Sequence, residues 1–383
     1  MNRRTFLTWA CGATAWSLAG MPLPRPRAAG AAIDRTAAWA PSSQPFLAVE
    51  WRYLAGRLID AMQDYGFIVS LTDLRVRGEQ ELLVQRQDFS GARTFAGKSY
   101  AGALTYEPSS GTYTFVADGQ TLATWQLDQA TQVYRLTVTT PELTLSNVVL
   151  RPQGDLISEG GDGVISVGQV LGFQVESDYY ADWVAIAIGE EPKGFARLDM
   201  QGLRPAQPLT RAPTQAANDY DHHWFAIAAV LTDATPAWVS VWRIETPDGP
   251  LWDVTIARGS GATWSVSSTT EASGAAAPLE VHPLAWQPLP PGATQSGTHT
   301  GTRWRIRAGM VQPGDLVDLE IAVLPGQFAA SARLAIGATT ALEEGVGTIA
   351  TGTILGLPVS TVRLVVAESS AEFYLQHLPI VRA

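Results

Sequence analysis

The chain has 383 residues, 16% of them charged and 46% hydrophobic, with 35 Gly and 24 Pro. That length fits about two domains, and the low charge excludes a disordered chain. No apolar run reaches the roughly 18 residues of a membrane span, and a formal net charge of −10 argues against a nucleic-acid partner.

The N-terminus reads as an address. Arg3-Arg4-Thr5-Phe6-Leu7 is a twin arginine followed by an apolar pair, then a weakly apolar stretch to Met21 and small residues at Ala29, Gly30 and Ala31. This is the pattern of a twin-arginine export signal over residues 1–31, which places the mature protein in the periplasm or outside the cell. Gly12, Gly20 and Pro22 would break an ordinary helix there. Cys11 is the single cysteine and lies inside this segment, so no disulfide is expected. The segment carries four arginines and no acid, and its loss leaves the mature chain at −14.

Alternation dominates the rest. Tyr65 to Leu71, Thr112 to Val116, Leu122 to Leu127, Val133 to Val138 and Leu143 to Leu150 read as short strands bounded by turn formers. Trp183 to Ile188, Trp224 to Val230, Trp238 to Ile244 and Trp304 to Arg307 continue the series, and Leu316 to Val323, Arg333 to Ile336 and Val362 to Val366 end it. Trp51 to Asp64 is ambiguous, because Leu54, Leu58 and Met62 have helical spacing. Pro-rich residues 206–217 form the expected linker between a domain at 32–205 and one at 218–383. Gly274 to Gly301 is expected to be a surface loop.

Residues 178–188 echo residues 219–229 at an offset of 41, with Asp, Tyr, Trp and an Ala-Ile-Ala core in common. This is either a duplicated wall of a cavity or two strands obeying one alternation.

Asp219, Asp221 and His222, beside His223 and Trp224, form the densest titratable cluster. A histidine beside a carboxylate can serve as a general acid or base. Adjacent strand residues face opposite ways, so His222 and His223 do not chelate one metal, and no other ligand spacing is present; no metal or cofactor is implied. Gly-x-Ser-x-Gly is missing, and Lys98 and Lys193 are the only lysines. Gly160-Gly161-Asp162-Gly163 reads as a hairpin turn. Arg303, Arg305 and Arg307 share one strand face, either meeting an anionic head group or simply solvated. Eleven of the 13 tryptophans lie beyond residue 31; they serve as core or as walls for an apolar ligand, where their faces can stabilise a cation.

Several segments resemble the AttH–CrtC family. Glu50-Trp51-Arg52-Tyr53-Leu54-Ala55-Gly56-Arg57-Leu58 with Tyr65-Gly66-Phe67 resembles its opening strand pair. Leu143 to Leu150, Tyr179-Tyr180, His223-Trp224-Phe225, Trp242-Arg243-Ile244 and Thr302-Arg303-Trp304-Arg305 resemble later strands in order. The resemblance implies an all-β chain of two consecutive lipocalin-like antiparallel β-barrels, and it turns Trp51 to Asp64 toward a strand. It implies an apolar small-molecule partner such as an isoprenoid, carotenoid or lipid, held by Trp51, Tyr53, Tyr179, Tyr180, Trp224, Trp242 and Trp304. Only one Asp-His-x-Trp stretch is present here, and Arg52 replaces a second opening Trp. Two readings follow: a hydratase in which Asp221 or His222, with Asp219, protonates a C=C bond, or a non-catalytic carrier. A secreted hydrolase is a third, without an identifiable nucleophile.

Overall fold

The computed structural model describes residues 33–43, 47, 49–59, 63–75, 78–89, 95–170, 173–205, 222–244, 249–259, 262–268, 271, 276–288, 299–309, 315–322, 328–330, 342–347 and 349–370. The described part of the first half holds a short helix, α1 (Arg35–Trp39), and twelve strands. They are β1 (Val49–Ile59), β2 (Asp64–Leu74), β3 (Glu79–Asp88), β4 (Phe95–Glu107), β5 (Thr112–Ala117) and β6 (Gln120–Asp128). There follow β7 (Val133–Thr139), β8 (Thr144–Pro152), β9 (Ile157–Ser158), β10 (Val164–Val170), β11 (Phe173–Ile188) and β12 (Glu191–Pro205). The run from β1 to β8 is an antiparallel meander, β12 lies between β1 and β11, and β11 pairs with β8 over Val184–Ala187. That last pairing closes β1 to β8, β11 and β12 into a barrel, with β10 continuing beyond β11.

Beyond residue 221 come β13 (His222–Leu231), β14 (Pro236–Ile244), β15 (Leu251–Arg258), β16 (Ala262–Ser267), β17 (Glu280–Pro288) and β18 (His299–Gly309). The last five are β19 (Asp315–Ala322), β20 (Phe328–Ala330), β21 (Leu342–Gly347), β22 (Ile349–Ile354) and β23 (Leu357–Ser370). Their order, β16-β15-β14-β13-β23-β22-β19-β18-β17 with β21 on β23, makes a second curled antiparallel sheet around its own core. The all-β, lipocalin-like expectation holds, as one closed barrel and a second sheet curled into a half-barrel. The expected loop at Gly274 to Gly301 instead contains β17 and the start of β18, while Arg333 to Ile336 lies outside the described residues. Among the described residues no helix is long and apolar enough to cross a membrane.

The alternation that identifies strands is clean where one face meets solvent. In β5, Tyr113, Phe115 and Ala117 point inward between half-buried Thr112, Thr114 and Val116. It vanishes in β1 and β2, which are buried on both faces for most of their length. Their inner residues, such as Leu54 and Leu58, fill the first barrel, and their outer residues, Tyr53, Ala55 and Ile68, are covered by the second sheet. A strand covered on both sides has no period of two to read, which is why Trp51 to Asp64 is ambiguous in the sequence.

Helix α1 fills the first barrel from one side. Asp34 caps it by accepting the Thr36 amide at 2.9 Å. Fully buried Trp39 packs edge-on against Tyr113, Trp125 and Tyr134, and its Nε1 donates to the Gly111 carbonyl at 2.8 Å. Buried Asp182 accepts from Arg35 Nε at 2.5 Å and from the Tyr134 hydroxyl at 2.9 Å. On the outer face of the second sheet, Arg303, Arg305 and Arg307 of β18 pair with Glu320, Asp318 and Asp315 of β19, so each cation of this stripe carries a carboxylate partner. Replacing Trp39 by Ala removes a fully buried indole, and equilibrium urea unfolding is expected to show a loss of about 3–5 kcal/mol, with Trp39→Phe losing distinctly less.

Candidate functional site

The two curled sheets meet through outward-facing residues of β1, β2, β11 and β12 on one side and of β13, β14, β15 and β23 on the other. Strand alternation sorts the side chains. On β11, Tyr179, Ala181 and Trp183 face this seam while Val184 and Ile186 face the first core; on β13, Trp224, Ala226 and Ala228 face it while Phe225 and Ile227 face the second. Tyr53, Trp238, Trp242 and Ile244 join the same apolar cluster, with half-buried Trp51 against it.

A charged group sits inside this apolar seam. Arg197 on β12 is 1% exposed, as is Glu159, and Asp199 is also buried. Arg197 Nε donates to Asp199 Oδ1 at 2.7 Å, and its Nη2 reaches Glu159 Oε1 at 2.8 Å, the Tyr179 hydroxyl at 2.9 Å and Ser240 Oγ at 3.3 Å. Its guanidinium carbon lies 5.5, 5.2 and 5.1 Å from the ring centroids of Tyr179, Trp183 and Trp224, the range of cation–π attraction. Ser240 and Trp224 belong to the second sheet, so one guanidinium is held by groups from both. Trp183 and Trp224 are the two tryptophans of the 41-residue echo: each sheet contributes one ring to the same cation.

Glu159 begins a one-turn 3-10 helix, Glu159–Gly161. Gly160 and Gly163 have φ of 67° and 85°, a region that favours glycine, and a Cβ on Gly163 would come within 2.6 Å of the Tyr180 ring. The turn aims Glu159 at Arg197 and presents the Gly160 amide to Thr255 Oγ1 at 3.1 Å. Thr255 and Ser265 donate to Asp253 at 2.9 and 3.2 Å, so a third buried carboxyl, from β15, lies beside the cluster.

Two buried carboxyls, Glu159 and Asp199, share one guanidinium, a third, Asp253, lies near Glu159 without a cation, and protons settle the imbalance. Burial pushes Glu159 up to about 7, against the pull of Arg197 and with help from the nearby Asp253 and Asp199. Burial likewise pushes Asp253 up to about 6, against its hydrogen bonds from Thr255 and Ser265. Although burial opposes its charge, Arg197 is held above its ordinary value by Asp199, Tyr179 and Glu159. Glu159 Oε2 is buried with no partner at hydrogen-bond distance.

Of the sequence-predicted residues, Trp51, Tyr53, Tyr179, Trp224 and Trp242 come together at the seam. Tyr180 points the other way, into a cavity of about 470 Å³ under residues 37–43 that it shares with Asp178, Met200 and Arg204. Trp304 stands apart, fully buried in the second core against Phe225 at 5.5 Å. Asp219 and Asp221 lie outside the described residues, as does the side chain of His222, whose backbone opens β13 opposite Ile244. His223 is buried beside Phe225 rather than at the seam. The sequence reading missed Glu159, Arg197, Asp199 and Asp253. The expected hairpin at Gly160–Gly163 is instead the turn that sets Glu159, and its three glycines are the local signal. Among the described residues no group of three His, Cys, Asp or Glu side chains could hold a metal.

Arg197→Met strands Glu159 and Asp199 without their cation. Loss of one partner from a buried pair costs about 3–5 kcal/mol, to be read by urea unfolding, and adding Glu159→Gln to Arg197→Met is expected to recover part of it.

No family model matches the chain, and no curated protein matches it in sequence. Solved structures do. A candidate AttH protein from Nitrosomonas europaea superposes with a TM-score of 0.58 at 16% identity, over 91% of this chain and 99% of its own. Kievitone hydratase from Nectria haematococca gives 0.56 at 11% identity, over 88% and 92%. CghA bound to Sch210972 gives 0.51 at 12% identity, over 91% and 95%. At such identities the likeness is one of architecture, and that architecture is the AttH-like, lipocalin-type pair of curled β-sheets.

Proposed function

We propose that the protein binds an apolar small molecule, of the isoprenoid, carotenoid or lipid class, at the seam between its two sheets. There it adds water across a C=C bond, with Glu159 as the proton donor. The observation that carries this reading is the state of Glu159: buried, anchored through Oε1 alone, and with a pKa near 7. A general acid works best when its pKa lies near the working pH. The aromatic rings around it suit both an apolar ligand and the cation formed when the double bond takes a proton. One of the fold's solved neighbours is itself named a hydratase. Asp221 and His222 are the second candidates for the donor.

The alternative, a non-catalytic carrier, is favoured by the packing of Trp183, Trp224 and Tyr179 on Arg197, which gives those rings a cation of the protein's own. One assay separates the readings. The purified mature chain is incubated with an acyclic carotenoid in detergent, the product is weighed by mass spectrometry, and tryptophan quenching reports binding. The hydratase reading expects addition of one water. Glu159 must be protonated to act, so the rate falls as pH rises through about 7, and Glu159→Gln loses about 10²–10⁴ of the rate while quenching persists. Quenching without product supports the carrier, loss of rate in Asp221→Asn with Glu159→Gln unaffected moves the donor to Asp221, and neither quenching nor product removes the ligand class. The reading includes export by the twin-arginine route: replacing Arg3 and Arg4 by Lys is expected to keep the full-length chain in the cytoplasmic fraction.

A further inference from the structure

Asp253 has no part in the reaction as described so far, and its surroundings are unusual for a structural residue. It lies on β15, on the same outward face as Thr255, and is almost wholly buried. Its two oxygens take hydrogen bonds from Thr255 Oγ1 at 2.9 Å and Ser265 Oγ at 3.2 Å. No arginine or lysine is paired with it among the described residues. Thr255 also receives the amide of Gly160, the residue next to Glu159. The titratable groups that face it are Glu159 and Asp162 from the 3-10 turn, with Arg197 and Asp199 of β12 beyond Glu159. A carboxyl desolvated at this depth without a cation is costly as an anion, and structural carboxyls avoid that position.

We propose that Asp253 is the second acid–base group of the site, the base that takes a proton from the attacking water. The assignment rests on the hydratase reading above. In the first step the π electrons of the C=C bond form a C–H bond with the proton on Glu159, leaving a carbocation and a Glu159 carboxylate. In the second, the water oxygen forms a C–O bond to that cation while one of its O–H bonds breaks and the proton passes to Asp253. The net change is alkene plus water to alcohol. The proton gained by Asp253 and the one lost by Glu159 balance, and its return to Glu159, the weaker acid of the two, runs downhill. Two carboxyls pushed to different pKa values divide acid and base roles in this way. Because Glu159 belongs to the first sheet and Asp253 to the second, the pair is complete only when the two are docked.

The test is the pH–rate profile of wild type and Asp253→Asn, with the carotenoid assay above. Wild type is expected to show a bell, rising near pH 6 as Asp253 ionises and falling near pH 7 as Glu159 does, the limbs being properties of the coupled pair. Asp253→Asn is expected to lose the rising limb and about 10²–10⁴ of the rate at the optimum, while keeping the falling limb and tryptophan quenching. Thr255→Val removes a hydrogen bond that stabilises the Asp253 anion, so its rising limb moves to higher pH; this variant serves if Asp253→Asn does not fold. If wild type turns over and Asp253→Asn retains both the rising limb and a rate within about threefold, the assignment of the base is wrong and the hydratase reading stands. If wild type makes no product, both fall together.

Discussion

One desolvated cation organises the molecule. Arg197 has given up water on every side, and its charge is answered by Glu159 and Asp199 and by the faces of Tyr179, Trp183 and Trp224. A charge in that position is tolerated only with good geometry and saturated donors, so the residues around it are fixed relative to one another. Since Trp224 and Ser240 come from the second sheet, fixing them also fixes how the two sheets sit. Apolar packing alone is non-directional; a guanidinium with planar donors has a required orientation. The apolar cluster gives the seam its driving force, and Arg197 selects its register.

The same seam explains which parts of the fold are legible in the sequence. Strands with a solvent-facing side, β5 to β8 above all, announce themselves through Thr and Gln alternating with Tyr, Phe and Leu. β1 does not, because Tyr53 and Ala55 are buried just as Leu54 and Leu58 are. β12 is harder still: Arg197, Asp199 and Gln201 sit at its outward positions and look, in a sequence, like the wet side of a surface strand, yet all three are buried. Polar outward residues are evidence of exposure only when nothing docks on them.

Site legibility divides along the same line. The aromatic members are readable because large rings are rarely left in water, and Trp51, Tyr53, Tyr179, Trp224 and Trp242 do gather in one place. Tyr180 and Trp304 separate from them for a reason of parity: Tyr180 is one residue from Tyr179 on a strand, and Trp304 alternates into the second core, so neither can share their face. The titratable members are not readable, since Glu159, Asp199 and Asp253 lie far apart in the chain and only the docking of two sheets brings them together. The Asp-His cluster at 219–223 is conspicuous because it is local, and Asp219 and Asp221 lie outside the described residues.

On the ligand-binding reading proposed above, the packing of the two cores narrows where a ligand can go. A β-barrel of eight or more strands is wide enough to hold a small molecule, but the first is filled by its own chain, with Trp39, Phe115, Trp125 and Tyr134 buried at its centre and Arg52 donating to the Trp39 carbonyl at 2.9 Å. The second carries Phe225, Trp252 and Trp304 in its core. To admit a ligand to the first core would mean withdrawing α1 and breaking the bond between Arg35 and Asp182, which leaves a buried carboxyl without its cation. Parting the seam would likewise take Ser240 and Trp224 of the second sheet away from Arg197. What the seam offers instead is apolar rings beside a carboxyl that burial pushes up to about 7.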